Sequence, residues 1–281
     1  MGIFNYEIQN NKMRKIFIIT LCHLGILILS QSIRIQYELT YRYDPTQTST
    51  RKINYTLDIH AHQSVFRTEM RRTSDSLLIN TGYGLGYNTN AVYELYLSKD
   101  SDQELYNKVF VSPLSRDRFF IKISEKLNWN ISSHTLIIGD YTCQKATVNY
   151  AGRNWTAWFA KDIPISEGPY YFHGLPGLII SIEDSDKNFN FRLTAIKKTD
   201  KNTLYRTDPG REISWEQYEK LLKDYFTDPL SSLKSSGKKV YTDNKSGGYQ
   251  PIDNREFTKN IQSTLLKNNN PIELTHKIDF K

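Results

Sequence analysis

Between residues 172 and 180 the chain reads Phe-His-Gly-Leu-Pro-Gly-Leu-Ile-Ile, and no other stretch restricts the fold as much. Glycine weakens a strand and proline removes a ladder donor, so Gly174, Pro176 and Gly177 do not belong inside a buried strand. They mark a corner, where positive φ or the close approach of two backbones re-aims the chain. Leu178 to Ile182 then runs on as a strand.

Around this corner the sequence alternates with period two. Ile33, Ile35, Tyr37, Leu39 and Tyr41 are interleaved with polar residues, as are Ile53, Tyr55, Leu57 and Ile59. Each set gives one buried face on a half-buried strand. Residues 62–70, 91–98, 106–111 and 118–123 fit further strands. Thr135–Ile138 and Tyr141–Tyr150 form a hairpin about Gly139-Asp140, followed by Asn154–Ala160. Leu178–Ile182 pairs with Phe189–Ala195 across a turn near Asp184–Lys187. Ten aromatic residues lie between Tyr141 and Phe191, which places the core there. The Gly82–Tyr87 stretch is glycine-rich, but no helix pattern follows it, so it reads as a loop rather than a nucleotide cradle.

The last third is helical in part. Ser214 to Gln217 has the form of a capping box, and Trp215, Tyr218, Leu221, Leu222 and Tyr225 follow at helical spacing. Asp253 to Glu256 opens a second helix carrying Phe257, Ile261 and Leu265. The Ser-, Lys- and Gly-rich stretch 231–250 between them reads as a mobile loop. The fold class is therefore α+β and β-rich: a curved antiparallel sheet with two helices, near 214–226 and 253–266, packed on it.

The N-terminus has the form of a targeting segment. Met13-Arg14-Lys15 precedes an apolar run from Ile16 to Leu29, and Ser30 and Ser32 suit cleavage after Ser32. Residues 1–12 have the character of a misassigned start. The apolar run is shorter than the roughly 20 residues of a membrane span, so a cleaved leader over 1–32 is expected, with no integral span left. The single domain would then cover 33–281 in a periplasmic or secreted product. Removing Lys12, Arg14, Lys15 and Glu7 lowers the net charge from +7 to +5, spread without a basic run or nucleic-acid motif, which argues against nucleic acid as a partner. Cys143 would be the lone remaining cysteine, which excludes an intramolecular disulfide and points to a buried, inert thiol.

Several short motifs recur in a specific order from Gly139 onward: Gly139–Ala146, Trp155–Phe159, Ile163–Ile165, Gly168-Pro169, Phe172–Ile179 and Asn270–Leu274. In this the chain resembles the GLPGLI family, exported bacterial proteins of unknown function, with Gly168, Pro169, Gly174, Leu175, Pro176, Gly177, Leu178 and Ile179 as its structural motif. The N-terminal third matches only in its leader and strand pattern. The resemblance implies an exported β-rich protein and supplies no catalytic residue or cofactor. Strands followed by helices also resemble the half-barrels of periplasmic lipoprotein carriers, an analogy of fold that does not fix function.

Three constellations could carry chemistry. Trp155, Trp158, Tyr170, Tyr171 and Phe172 flank the corner, and on a half-open sheet they would line a concave wall for an apolar small molecule, a lipid, a peptide or a partner's strand. Asp58, His60 and His62 alternate, so an extended strand would project all three from one face as metal ligands. Asp162, Glu167 and His173, with Glu183, Asp184 and Asp186 on the next turn, offer acid–base pairs for a hydrolase of the envelope. The first pattern favours a binding or envelope-assembly protein rather than an enzyme; a structural partner of an outer-membrane receptor is a further alternative.

Overall fold

Period-two alternation builds a twelve-stranded sheet in the computed structural model, which describes residues 32–85, 94–199, 204–237, 239–244 and 247–280. The expected leader, apart from Ser32, lies outside the described residues, as do residues 91–93 of one expected strand. Five antiparallel pairings and one parallel pairing join the first part: β1 (Ser32–Tyr41), β2 (Arg51–His60), β3 (Gln63–Thr68), β4 (Leu97–Asp100), β5 (Leu105–Val111), β6 (Arg118–Lys122) and the short β12 (Arg211–Glu212), which lies parallel to β6. A second meander comprises β7 (Asn130–Ile138), β8 (Tyr141–Tyr150), β9 (Arg153–Ala160), β10 (Leu178–Asp184) and β11 (Phe189–Thr199). Pairing of β1 with β11 joins the two meanders into one open sheet of mixed, almost wholly antiparallel pairing. Register shifts at Gln36/Tyr37 and Ile179/Ser181 interrupt its ladders, the kind of bulge that bends a strand.

Cross-strand partners divide the sheet cleanly into two faces. Leu57, Phe66, Leu97, Lys108 and Ile121 lie opposite one another in turn across β2 to β6, and with Tyr37, Leu39 and Phe191 they make the inner face. Arg34, Asp58 and Val65 occupy the outer face by the same register. Helix α2 (Trp215–Thr227) and helix α4 (Asn254–Lys267) are joined by stretch 228–253, which holds the short helix α3 (Ser231–Ser235) and a ribbon of β13 (Tyr241–Asp243) and β14 (Tyr249–Pro251). Residues 231–250 were expected to be a loop throughout. The two long helices fall where expected, and α2 carries the full reciprocal capping box at Ser214 and Gln217. Tyr218, Leu222 and Leu265 pack with Phe110 and Phe119 in a smaller core at the β5–β6 end.

Two further elements depart from expectation: of the strand expected over 91–98, residues 94–96 lie outside any strand and β4 runs Leu97–Asp100. Residues 62–70 were expected to run as a single strand, but the strand stops at Thr68 and helix α1 (Glu69–Thr81) begins. Thr68 is its cap, its hydroxyl accepting from the Arg71 N–H at 3.2 Å. The buried residues of α1 are Arg71, Arg72 and Asp75, so an apolar stripe is not what seats it. Charge does. On the outer face Asp58 accepts from Arg34 at 3.0 Å and from Arg72 at 2.8 Å, while Arg67 donates to Asp75 at 2.7 Å. Arg71 reaches Glu94 at 2.8 Å.

Candidate functional site

The Gly/Pro corner is the loop of residues 161–177 between β9 and β10. A Cβ on Gly177 would stand 2.2 Å from the carbonyl oxygen of Ala160, so the two strand ends approach too closely for any side chain. Gly174 has φ of +89°, a conformation other residues adopt at a cost. Backbone bonds from Gly174 to Ser166, Leu178 to Ile163 and Ile179 to Glu167 tie the loop down, and Trp129 donates to the His173 carbonyl at 2.8 Å.

What the loop does with its aromatics differs from a simple open wall. Tyr170, Tyr171 and Phe172 are 0–2 % exposed and Trp155 is 1 % exposed. Phe172 packs on Trp155 at 4.6 Å and on Tyr150 at 5.6 Å between ring centres, and Tyr170 meets Phe66 edge-on at 6.4 Å. The loop's own side chains therefore fill this part of the inner face. Trp158 is partly buried at the border of the same core. Leu175, Leu178 and Ile179 are buried with them, whereas Gly174 and Pro176 are exposed.

Two lysines on the inner face hold the covering segments by charge. Lys99 donates to Glu167 at 2.5 Å, and the other oxygen of that carboxylate accepts from Ser64 at 2.9 Å. Lys108 meets Glu273 at 3.1 Å and the Tyr170 hydroxyl at 3.1 Å; that hydroxyl also donates to Glu273. Burial, then the Glu273 charge, raises the Tyr170 phenol well above its ordinary range, so it stays protonated as a donor. His173 lies beside the first pair with its Nε2 buried and lacking a hydrogen-bond partner. Burial, aided by Lys99, pushes its pKa down to about 4.

Glu273 belongs to the C-terminal segment, and a single arginine clamps that segment to the sheet. Arg153, 3 % exposed, donates to Asp184 at 2.8 Å, to the Ile272 carbonyl at 3.1 Å, to the Pro271 carbonyl at 2.8 Å and to the Asn270 side chain at 2.7 Å. The motif Asn270-Pro271-Ile272-Glu273 thus supplies both the clamp's acceptors and a buried carboxylate.

Beneath this segment lies a cavity of about 330 Å³, within the range of small-molecule sites. Leu39, Tyr41, Ile53 and Tyr55 of β1 and β2, with Phe189 of β11, form one wall; Pro271, Ile272, Trp215 and Tyr218 form the other. Tyr41 stacks with Phe189 at 6.2 Å, and Trp215 stacks face to face with His276 at 3.8 Å. Lys108 and Glu273 lie in the lining, and at the rim the Arg51 guanidinium sits 4.0 Å over the Tyr43 ring. None of Trp155, Trp158, Tyr170, Tyr171 and Phe172 lines this cavity. Two signals pointed toward it without naming it: the Asn270–Leu274 motif and the cap that places Trp215.

The other two constellations do not assemble. The hairpin turn after β2 puts Ala61 at φ of +52°, so strand alternation ends before His62. Asp58 is engaged by arginines, His60 by Ser32 at 2.9 Å and His62 by Asp102 at 3.0 Å. Among the described residues no three His, Cys, Asp or Glu side chains gather as a metal centre. Of the carboxylates near the corner, Glu167 is engaged by Lys99, Asp184 by Arg153 and Glu183 by Asn190 at 3.2 Å, while Asp162 and Asp186 are exposed. Cys143 is a free thiol, 0 % exposed, and burial raises its pKa. No described helix is long and apolar enough to cross a membrane.

Against known proteins, a family model described as a protein of unknown function, Porph_ging, matches residues 151–181. That span runs from the β8–β9 turn through the corner into β10. It does not test the GLPGLI resemblance by name, and the lipoprotein-carrier analogy gains no support. No curated protein matches the chain. Among solved structures the chain is similar to PNGF-II in its C2 crystal form, at 12 % identity and a TM-score of 0.48, covering 69 % of this chain and 33 % of that one. The P21 form gives 12 % identity, a TM-score of 0.47 and coverage of 68 % and 33 %. The chain thus spans about a third of the length of those structures.

Proposed function

We propose that this chain is a binding protein whose ligand is small and mainly apolar, held between β1, β2 and the Arg153-clamped C-terminal segment. The observation that carries the reading is the 330 Å³ cavity, whose aromatic and aliphatic walls are joined by polar residues such as Asn54, Thr68, Glu94 and Lys108, and apolar walls with placed polar groups are the usual composition of a small-molecule site. Burying an apolar body there is favoured by about 25 cal/mol per Å² of surface removed from water. The engagement of Asp58, His60, His62, Glu167, Asp184 and Glu183 by other side chains counts against the hydrolase alternative. The corner loop acts as a fixed filler that shapes the floor beside the cavity, through Tyr170 and its bond to Glu273.

Titration of the full chain with 1-methylnaphthalene, followed by calorimetry, tests this. Saturable one-to-one binding by the wild type and its loss in Ile53→Trp, which fills the space, are expected. Absence of saturable binding to the wild type overturns the reading. The leader pattern over residues 13–32 supports export to the periplasm or beyond, and sequencing the mature N-terminus tests that. A start at Ile33 is expected; an intact Met1 or Met13 in the envelope fraction would rule out cleavage there.

A further inference from the structure

Charges around the cavity are matched, with one exception. Of its three carboxylates, Glu273 pairs with Lys108 at 3.1 Å and Glu94 with Arg71 at 2.8 Å. The third, Glu69, accepts from Thr56 at 2.8 Å and has Arg72 at 3.9 Å. His276 stacks on Trp215, and burial lowers its pKa, so it is neutral at neutral pH. Among the described residues Arg51 is the lining charge that forms no ion pair; it is exposed, with its guanidinium 4.0 Å over the Tyr43 ring. The Lys267 ammonium lies 6.0 Å from the same ring, which makes this side of the mouth doubly basic. Asp44 is close by, but its carboxylate is taken up by the N–H and the hydroxyl of Thr46 at 2.9 and 2.6 Å.

Strand register sets that cation beside the apolar wall. Arg51 lies opposite Tyr41 and Ile53 opposite Leu39 across the β1–β2 ladder. Arg51, Ile53 and Tyr55 therefore project from one face of β2, successive members about 7 Å apart. Glu69 is drawn the other way, by Thr56 and Arg72 toward the outer face. Neutral donors such as Thr68 and Asn54 also line the space. They suit a polar atom on any ligand and so do not choose its charge. A guanidinium does choose, because its planar fork matches a carboxylate. Resting on the binding reading above, we infer that the ligand is an apolar carboxylic acid, its body against Ile53 and its carboxylate on Arg51 at the mouth.

Calorimetry on the full chain at neutral pH compares three probes built on one ring system: 1-naphthoate, 1-methylnaphthalene and 1-naphthylmethylammonium. Wild type should bind the naphthoate about fivefold more tightly than the ammonium probe, the equivalent of about 1 kcal/mol at 1.4 kcal/mol per tenfold. Added salt should shrink that gap, since an exposed pair is screened. Arg51→Gln should remove the preference. In the wild type, the Arg51 side-chain N–H resonance should shift with naphthoate and not with methylnaphthalene, a readout that needs no variant to fold. Equal affinities for the two charged probes, with methylnaphthalene still bound, overturn the carboxylate inference and leave the cavity reading standing. A preference that persists in a folded Arg51→Gln overturns the assignment to this residue, and failure of all three probes to bind overturns the cavity reading as well.

Discussion

Where segments cover the sheet, as over β3, both of its faces are buried, but by opposite chemistry. On the inner face the corner loop lays Tyr170, Tyr171 and Phe172 against Trp155, Tyr150 and Phe66, so packing and desolvation of large rings hold the loop. On the outer face Arg67 and Asp58 are 0 % exposed beneath α1, and Asp75 of that helix is 1 % exposed. There a helix is seated by ion pairs whose desolvation is offset only while every partner is present. A ring core tolerates a gap by partial relaxation, whereas a buried charge network loses its balance with any one member. Two faces of one sheet should therefore fail differently.

The severest break lies at the corner itself. Gly177→Val places side-chain atoms where the Ala160 carbonyl stands, and a loss of more than about 4 kcal/mol, read as loss of soluble folded protein, is expected. Gly174→Ala meets open space apart from Trp129 at 4.0 Å, so it should cost only about 1 kcal/mol through its positive φ. Equal effects of the two would show that φ rather than backbone approach makes the corner.

Next comes the comparison of faces. Asp58→Ala leaves Arg34, Arg67 and Arg72 without the carboxylate they share, a loss of about 3–5 kcal/mol. Phe172→Leu on the inner face should cost less, about 1–2 kcal/mol, because the cavity can partly close. Urea unfolding of both variants decides it, and a smaller loss for Asp58→Ala would mean that the outer network contributes little.

Acidification separates the faces in a third way. The His173 pKa lies near 4 when folded and near 6.5 when unfolded. Above about pH 6.5 both states are neutral and His173 adds no pH dependence. As pH falls from about 6.5 toward 4 the unfolded state takes up a proton that the folded state refuses, so stability is lost, on the order of 2 kcal/mol. His173→Gln should flatten that part of the profile, measured as unfolding free energy against pH; an unchanged profile would assign the dependence to other groups. The smallest effect expected is Thr68→Ala, about 1 kcal/mol from the lost α1 cap, seen as a small drop in melting temperature.

These differences also explain what could be read from the residues beforehand. Ile33 to Tyr41 and Tyr141 to Ala160 alternate because a sheet with one apolar face demands it, and those strands appear where the alternation put them. Helix α2 announced itself by Ser214, Gln217 and an apolar stripe. Helix α1 did not, since Arg71, Arg72 and Asp75 are what it buries, and a charged residue looks exposed until its partner on another strand is known. The corner was legible as a corner, because Gly-Leu-Pro-Gly forbids regular structure. Its aromatics were read as a wall for something else, and only packing revealed that the loop itself occupies the wall.

Local rules, then, were enough for the ladder of strands, both capped helices and the Gly177 approach, since each depends on neighbours a few residues away or on a repeated period. The cavity joins Leu39 of β1 to His276, and the Lys108–Glu273–Tyr170 cluster joins residues up to 165 positions apart. No periodicity encodes such meetings. They arise when β1 pairs with β11 and Arg153 draws the chain's last segment across the sheet, so long-range pairing decided where this protein keeps its empty space.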